Sequence, residues 1–472
     1  MKELHSPSGP GIRSEQDGLG RRDIPESALW GISTSRAVEN FPVSGRMIGS
    51  WRSLIWALGA VKFASARANE HLGLLAPEKS QAIQGAARDV MDGLLDEQFV
   101  VDTIQGGAGT STNMNANEVV ANRALEILGR RHGDYAVVHP LDDVNRSQST
   151  NDVYPTAVKI ALHRELTVLC EEHGRLVAAF MAKSEAFATI LKVGRTQLQD
   201  AVPMSLGQEI GAFAETLRED GKRLEELLPH LLESNLGATA IGTGITVPTG
   251  YREAVIRELA TVTGLPLVSS ADLVEATSDT GVFLLVSGVL KRAAVKLSKI
   301  CNDLRLLSSG PQAGFAEILL PAVQAGSSIM PGKVNPVIPE MVNQVAFRVV
   351  GADATVTMAV EAGQLQLNAF EPIMADSLLE SLAWLTVACR QLRTHCVDGI
   401  QANTALLERR MLNSVSVVTG LAPLLGYGVA AELAKEALAS DRGVAELVVE
   451  RGLLGAEEAA QALSARSLAG LT

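Results

Sequence analysis

The chain has 472 residues, with 41 Lys and Arg against 53 Asp and Glu and a formal net charge of −12, which argues against nucleic acid or an acidic membrane as its main partner. Hydrophobic residues make up 47% and aromatics only 4%, so a large core of Leu, Ala, Val and Ile favours helices packed on helices over aromatic-rich sandwiches. An anion can still bind, provided that the positive potential is local.

In chain order, residues 1–18, "MKELHSPSGPGIRSEQDG", are rich in Gly, Pro, Ser and charge and predict a loose leader. The leader lacks the apolar stretch of a signal peptide, and no uncharged apolar run elsewhere reaches membrane-spanning length, so a cytoplasmic protein without a membrane partner is expected. Helical periodicity runs in short pieces over residues 51–100. A glycine-rich turn, "QGGAG", then passes through hydroxyls and amides into a helix, and a polar break, "HPLDDVNRSQSTND", leads into a long apolar-periodic segment from about Val153. Leu206, Ile210, Phe213, Leu217, Leu224, Leu228 and Leu231 recur at helical steps along the next segment.

From Ala271 to Ser308 no proline intervenes, and the run predicts one helix apolar on nearly all sides. Such a helix must be surrounded by others. Further helices are expected after Pro339 and over Glu371 to Val397. Helices of ~30 residues would be about 45 Å long, well above the usual length. Several of them imply an elongated bundle that buries its exposed stripes in an oligomer. After Gly399, short helices alternate with Gly and Pro breaks.

The fold class is therefore read as mainly α, with residues 1–146 as an N-terminal domain, 147–402 as a central long-helix bundle and 403–472 as a small C-terminal domain. Cys170, Cys301, Cys389 and Cys396 have no metal-ligand spacing, and buried free thiols are the expectation for the apolar Cys301 and Cys389 stretches.

Polar clusters stand ahead of several helices: Thr110-Ser111-Thr112-Asn113, Ser149-Thr150-Asn151, Thr196-Gln197, and Ser327-Ser328 with Lys333 and Asn335. Taken singly, each reads as a helix cap. Four clusters with more groups than a cap requires point further, because converging helix N-termini, hydroxyls and amides would hold carboxylates.

These clusters lie in "GGAGTSTNMNANEVVANRALEILG", "VNRSQSTNDVYPT", "GRTQLQDAVPMSLGQE" and "GSSIMPGKVNP", with "LGATAIGTGI" and "ICNDLRLLSSGP" between them. On all six segments the chain resembles the aspartase/fumarase superfamily, from about Arg13 to Leu454, and "GSSIMPGKVNP" is its highly specific signature. The resemblance implies a three-domain fold and a homotetramer whose active sites combine segments from three subunits. It implies that a mobile loop closes over the substrate with Ser327 as base and Ser328 beside it contributing hydrogen bonds. By position, Lys333 and Asn335 match the substrate-carboxylate contacts, and Thr110, Ser149, Thr150, Asn151 and Thr196 match the remaining substrate-binding positions. A small dicarboxylate or amino-acid substrate is implied, with no cofactor and with activation by a divalent cation left open.

The chemistry suits those residue types. Removing a proton beside a carboxylate spreads charge into it as an aci form, which needs many fixed donors in a closed, dry site. A serine is a poor base in water, so the resemblance implies that Ser327 works as an alkoxide stabilised by backbone N–H groups. Gln197 stands where fumarase-like sequences usually carry histidine. Hydroxide leaves poorly unless protonated, whereas an amine leaves directly as ammonia. "TSTNMN" and "SQSTND" also resemble the aspartase side, so the expected reaction is L-aspartate to fumarate and ammonia. The alternatives are a fumarate hydratase and a non-catalytic structural homologue; an intact Ser327, Lys333 and Asn335 speaks against the latter. Two departures stand out: Ser33 replaces the usual His or Gln of an N-terminal motif that keeps Arg36 as a guide for an anion, and the C-terminal "TGLAPLLGYGVAAE" has drifted.

Overall fold

The computed structural model describes residues 11–440 and 442–469, so the first ten residues of the expected loose leader lie outside the described residues. The rest of that leader is not loose. Ile12–Asp17 pairs antiparallel with Gly20–Pro25, from Ile12 opposite Pro25 to Asp17 opposite Gly20. Its alternation runs backwards, with Arg13 and Glu15 facing in and Ile12 exposed. The buried charges are satisfied: Arg13 Nε donates to Glu15 Oε1 at 2.8 Å, and its Nη atoms donate to the carbonyls of Pro25, Ala28 and Trp30. Charge taken as part of a loose leader is here a buried hydrogen-bond hub.

The architecture is mainly α, as expected. Its long helices are Thr150–Ala186, Gly281–Leu307, Val337–Glu361 and Glu371–His395. The first has 37 residues, about 55 Å at the helical rise. Glu371–His395 is apolar enough to resemble a membrane span, but 72% of its most apolar window is buried inside the fold. The single helix expected from Ala271 to Ser308 is broken: Leu273–Ser278 ends at Asp279, and Gly281–Leu307 begins two residues later. Asp272 and Asp279 explain the break, because their carboxylates accept the N–H groups of Val274 and Glu275 and of Gly281. A short acidic side chain offers the backbone a cap in place of a continued helix.

Two compact units divide the chain. One comprises the chain up to Leu169, Arg223–Lys291 and Arg348–Ala383. Its centre is Arg52–His71, a helix buried on almost every side against Pro77–Met91 and Tyr251–Thr263. The contact is close because Gly59 faces Ala87 and Met91; a Cβ there would lie 3.0 Å from the Ala87 carbonyl and 2.9 Å from Met91 Cγ. The other unit comprises Cys170–Lys222, Arg292–Phe347 and the chain from Trp384. In it the short C-terminal helices bury Leu421, Leu433, Leu447 and Val448 in one apolar cluster that also takes in Val193. Cys301, Cys389 and Cys396 are buried.

Several long helices leave large apolar side chains exposed. Phe347 is 66% exposed and Met358 73%, and Leu284, Leu285, Val295 and Trp384 are also open.

Candidate active site

In the first unit the site begins with a backbone constraint. Gly107, Ala108 and Gly109 all have positive φ, at 85°, 52° and 85°, and this turn delivers the chain into helix Thr110–Ile127. Gly109 is required twice over, since a Cβ there would also sit 2.4 Å from Tyr154 Cγ. Thr110, exposed at the helix start, donates its hydroxyl to the Gly107 carbonyl at 2.7 Å.

One turn along, Asn113 faces the next predicted cluster. Its amide donates to Thr150 Oγ1 at 3.1 Å, and its carbonyl accepts from Lys62 Nζ at 2.8 Å. Lys62 also donates to Asn145 Oδ1 and Gln148 Oε1. Burial pulls this ammonium down to about 7, against the charge of Asp152. Asp152 is likewise pushed up by burial to about 7, opposed by hydrogen bonds from the main chain of Ser149, Thr239 and Gly237 and by the Lys62 charge. Through those bonds, "LGATAIG" is tied to the start of helix Thr150–Ala186.

Ser149 fulfils the bland expectation as well, because its Oγ accepts the Asn151 N–H at 3.3 Å as a cap. Asn151 donates its side-chain amide to the Ala240 carbonyl at 2.7 Å. Asn113 thus joins the helix that Thr110 opens to Thr150, and the "LGATAIG" segment is held by Asn151 and Asp152. Lys62, Asn145 and Asp152 had not been singled out; the available signal was one lysine in the apolar run "GAVKFASA". Arg36 does not stand free for an anion, since Asp17 holds it bidentately with both contacts at 2.7 Å.

In the second unit, residues 326–335 close a loop on themselves. Gly326 N–H donates to the Lys333 carbonyl at 2.8 Å, and Asn335 Nδ2 to the Gly326 carbonyl at 2.7 Å. A Cβ on Gly326 would lie 2.6 Å from the Lys333 carbonyl. Inside the loop, Ser327 Oγ accepts two main-chain N–H groups, from Ile329 at 3.1 Å and Met330 at 2.9 Å. Ser328 and Lys333 are exposed. Lys333 and Asn335 line a cleft of about 700 Å³ together with Arg305, Ser308 and Glu340. Arg305, also unpredicted, gives the cleft a second cation.

Thr196 stands ahead of helix Leu206–Glu225, as expected, but a strand intervenes. It ends strand Leu191–Thr196, which pairs antiparallel with Gln199–Ser205 across a two-residue turn. Gln197 and Leu198 both have positive φ in that turn, at 54° and 64°, the pattern of a tight hairpin. Arg195 and Lys192 anchor the hairpin to buried Glu317, at 2.5 and 2.7 Å. Burial pushes the Glu317 carboxyl up, but Arg195 and Lys192 outweigh it and hold the pKa below the ordinary value. Among the described residues no hydrogen bond joins Thr196 to Ser327, Lys333 or Asn335. Of the four clusters, only those at Thr110 and Thr150 open helices directly; Ser327 precedes Val337, the first residue of the next helix, by a full loop.

Comparison with known proteins gives the arrangement a family. Residues 20–351 match the Lyase family, and residues 417–470 match the Fumarase C C-terminus family. The chain is 55% identical to an aspartate ammonia-lyase of Pseudomonas canavaninivorans, over 95% of this chain and 94% of that protein. Among solved structures it is similar to a fumarate lyase:delta crystallin from Brucella melitensis bound to cobalt, at 56% identity and a TM-score of 0.95, covering 97% of this chain and 100% of that one. It is similar also to a class II fumarase from Schistosoma mansoni, at 33% identity and a TM-score of 0.91, covering 97% and 99%. With its signature loop, helical architecture and near full-length likeness in agreement, the chain belongs to the lyase family of the aspartase/fumarase superfamily.

Proposed function

We propose that the chain is a carbon–nitrogen lyase that converts L-aspartate reversibly to fumarate and ammonia. The observation that carries this is the Ser327 loop. An Oγ that already accepts two N–H groups is set to hold negative charge, and the loop belongs to a chain 55% identical to an aspartate ammonia-lyase. In the proposed reaction, Ser327 takes the proton from Cβ and charge spreads into the adjacent carboxylate as the aci form. The Cα–N bond then breaks and its electron pair leaves with ammonia. Lys333 and Arg305 in the cleft suit a dicarboxylate. Asn335 uses one N–H on Gly326 and keeps its second N–H and its carbonyl for substrate. Thr110, Ser149, Thr150, Asn151, Thr196 and Ser328 complete the proposed contacts.

The proposed assembly is a cytoplasmic homotetramer with active sites shared between subunits, working without an organic cofactor. The exposed Phe347, Met358 and Leu285 support association. The hydratase reading is less favoured. Gln197 at the hairpin tip has no titratable proton to give a leaving hydroxide, and identity to the fumarase is 33% against 55% for the ammonia-lyase.

Absorbance of fumarate formed from L-aspartate, run beside L-malate, tests the proposal. Fumarate from aspartate alone is expected; comparable rates from malate would overturn the assignment.

A further inference from the structure

Lys62 is wholly buried at 0% exposure, and no carboxylate of the described residues lies within salt-bridge distance of it. Its three N–H donors instead meet three amide oxygens, Asn113 Oδ1 at 2.8 Å, Gln148 Oε1 at 2.9 Å and Asn145 Oδ1 at 3.0 Å. Three acceptors around one nitrogen call for its protonated form, and an ammonium only donates, so each amide turns its oxygen towards it. The N–H ends must point away. Asn113 Nδ2 therefore donates to Thr150 Oγ1 at 3.1 Å, and its other N–H to Asn145 Oδ1 at 3.2 Å. Gln148 Nε2 donates to the carbonyls of Val144 and Arg146, and Asn145 Nδ2 to that of Gln148, which shapes the turn ahead of Ser149.

A threonine hydroxyl that accepts from an amide keeps its one proton for another partner. No acceptor for that proton is found among the described residues. We infer that Lys62 is a positioning residue: through Asn113 it turns the Thr150 hydroxyl outward as an obligatory donor to a substrate carboxylate. The chain of bonds runs one way, from Lys62 N–H to Asn113 Oδ1, from Asn113 N–H to Thr150 Oγ1, and from Thr150 O–H to the ligand. Each bond polarises the next in the buried, low-dielectric surroundings. If Lys62 served packing alone, an apolar side chain would fill its place without the cost of burying a charge. The inference rests on the reading of Thr150 as a carboxylate contact.

The decisive perturbation is Asn113→Asp, which keeps the size and gives Lys62 an ionic partner. It also puts an acceptor in front of Thr150, so the hydroxyl proton is drawn inward. Binding of succinate, a dicarboxylate that cannot eliminate ammonia, is measured by calorimetry for wild type, Asn113→Asp, Thr150→Val and the double variant. Each single change is expected to weaken succinate by roughly 10-fold, the scale of one hydrogen bond to a charged group. The double variant is expected to be no weaker than either single one, because both remove the same donor. Melting curves confirm that Asn113→Asp is folded, which a lost ammonium site in Lys62→Met would not guarantee.

Wild-type affinity in folded Asn113→Asp would overturn the relay, as would single effects that multiply in the double variant. A wild-type protein that binds no succinate would overturn it too. The two readings fail separately: wild-type deamination of aspartate with unaffected Asn113→Asp binding sinks only the relay. Relay-type succinate binding without deamination sinks only the ammonia-lyase assignment.

Discussion

Gly109→Ala is the most direct mechanical test of how the first unit sets the start of helix Thr110–Ile127. The backbone there has φ of 85°, which costs an L-residue roughly 1–2 kcal/mol. The new methyl would stand 2.4, 2.5 and 2.7 Å from three ring carbons of Tyr154, and that ring is 2% exposed within the core. Since a buried ring cannot swing aside, overpacking adds about 1–3 kcal/mol. The sum, about 2–5 kcal/mol, is large against the usual stability of a folded domain. Relief requires the turn before Thr110 to shift, which also displaces Asn113 from Lys62 and Thr150. Urea unfolding should therefore show the loss in stability, and L-aspartate turnover should fall even under conditions where the variant remains folded. A variant with wild-type stability and turnover would refute the claim that this glycine sets the helix start.

Lys333→Ala is expected to raise KM and lower kcat together, since a charge that holds a carboxylate acts in both the ground and transition states; an unchanged KM removes it from substrate binding. Burial pushes Glu371 up to about 8 from an ordinary 4.5, opposed by the charge of Lys159. The unfolded chain therefore releases its proton first as pH rises, and Glu371 weakens the fold progressively between about pH 4.5 and 8. Glu371→Gln should thus gain stability relative to wild type across that window, by about 2 kcal/mol or more at the upper end; an advantage that does not change with pH contradicts the assigned protonation. Ser327→Ala and Thr196→Ala, each expected to be inactive alone, should regain a modest fraction of activity when unfolded and refolded together, because the proposed tetramer with shared sites would then contain some intact ones. Mixed tetramers seen by light scattering without recovered activity would show that these two segments do not share a site across subunits.

The long helices were legible because nothing interrupts their apolar periodicity over many turns. The break at Asp279 was not, since its effect is to cap a new helix and a periodicity count does not register capping. The leader hairpin was missed for a related reason: Arg13 and Glu15 face inward and satisfy one another, the reverse of the usual alternation. The Thr196 hairpin turns through Gln197 and Leu198 without the Asn-Gly or Gly pairs that announce such turns.

At the site, the Ser327 loop was legible only as a family signature; the two N–H groups that its Oγ accepts, from Ile329 and Met330, emerge with the folded loop. Lys62 was not legible, because its three partners come from two distant segments and its burial is a property of the folded unit. Arg305 similarly gains meaning only from the cleft it shares with Lys333. The family motifs supplied what physical patterning alone could not: which of several capped helix starts belong to a site.

The account stands most directly on one comparison, fumarate and ammonia formation from saturating L-aspartate by wild type and by Ser327→Ala. The wild-type protein should release the two products in equal amounts. The variant should keep its melting temperature, since a half-buried loop hydroxyl contributes little to packing, while its kcat falls by at least about 100-fold, the lower scale for a lost general base. A folded Ser327→Ala protein that turns over L-aspartate at the wild-type rate would contradict the central claim.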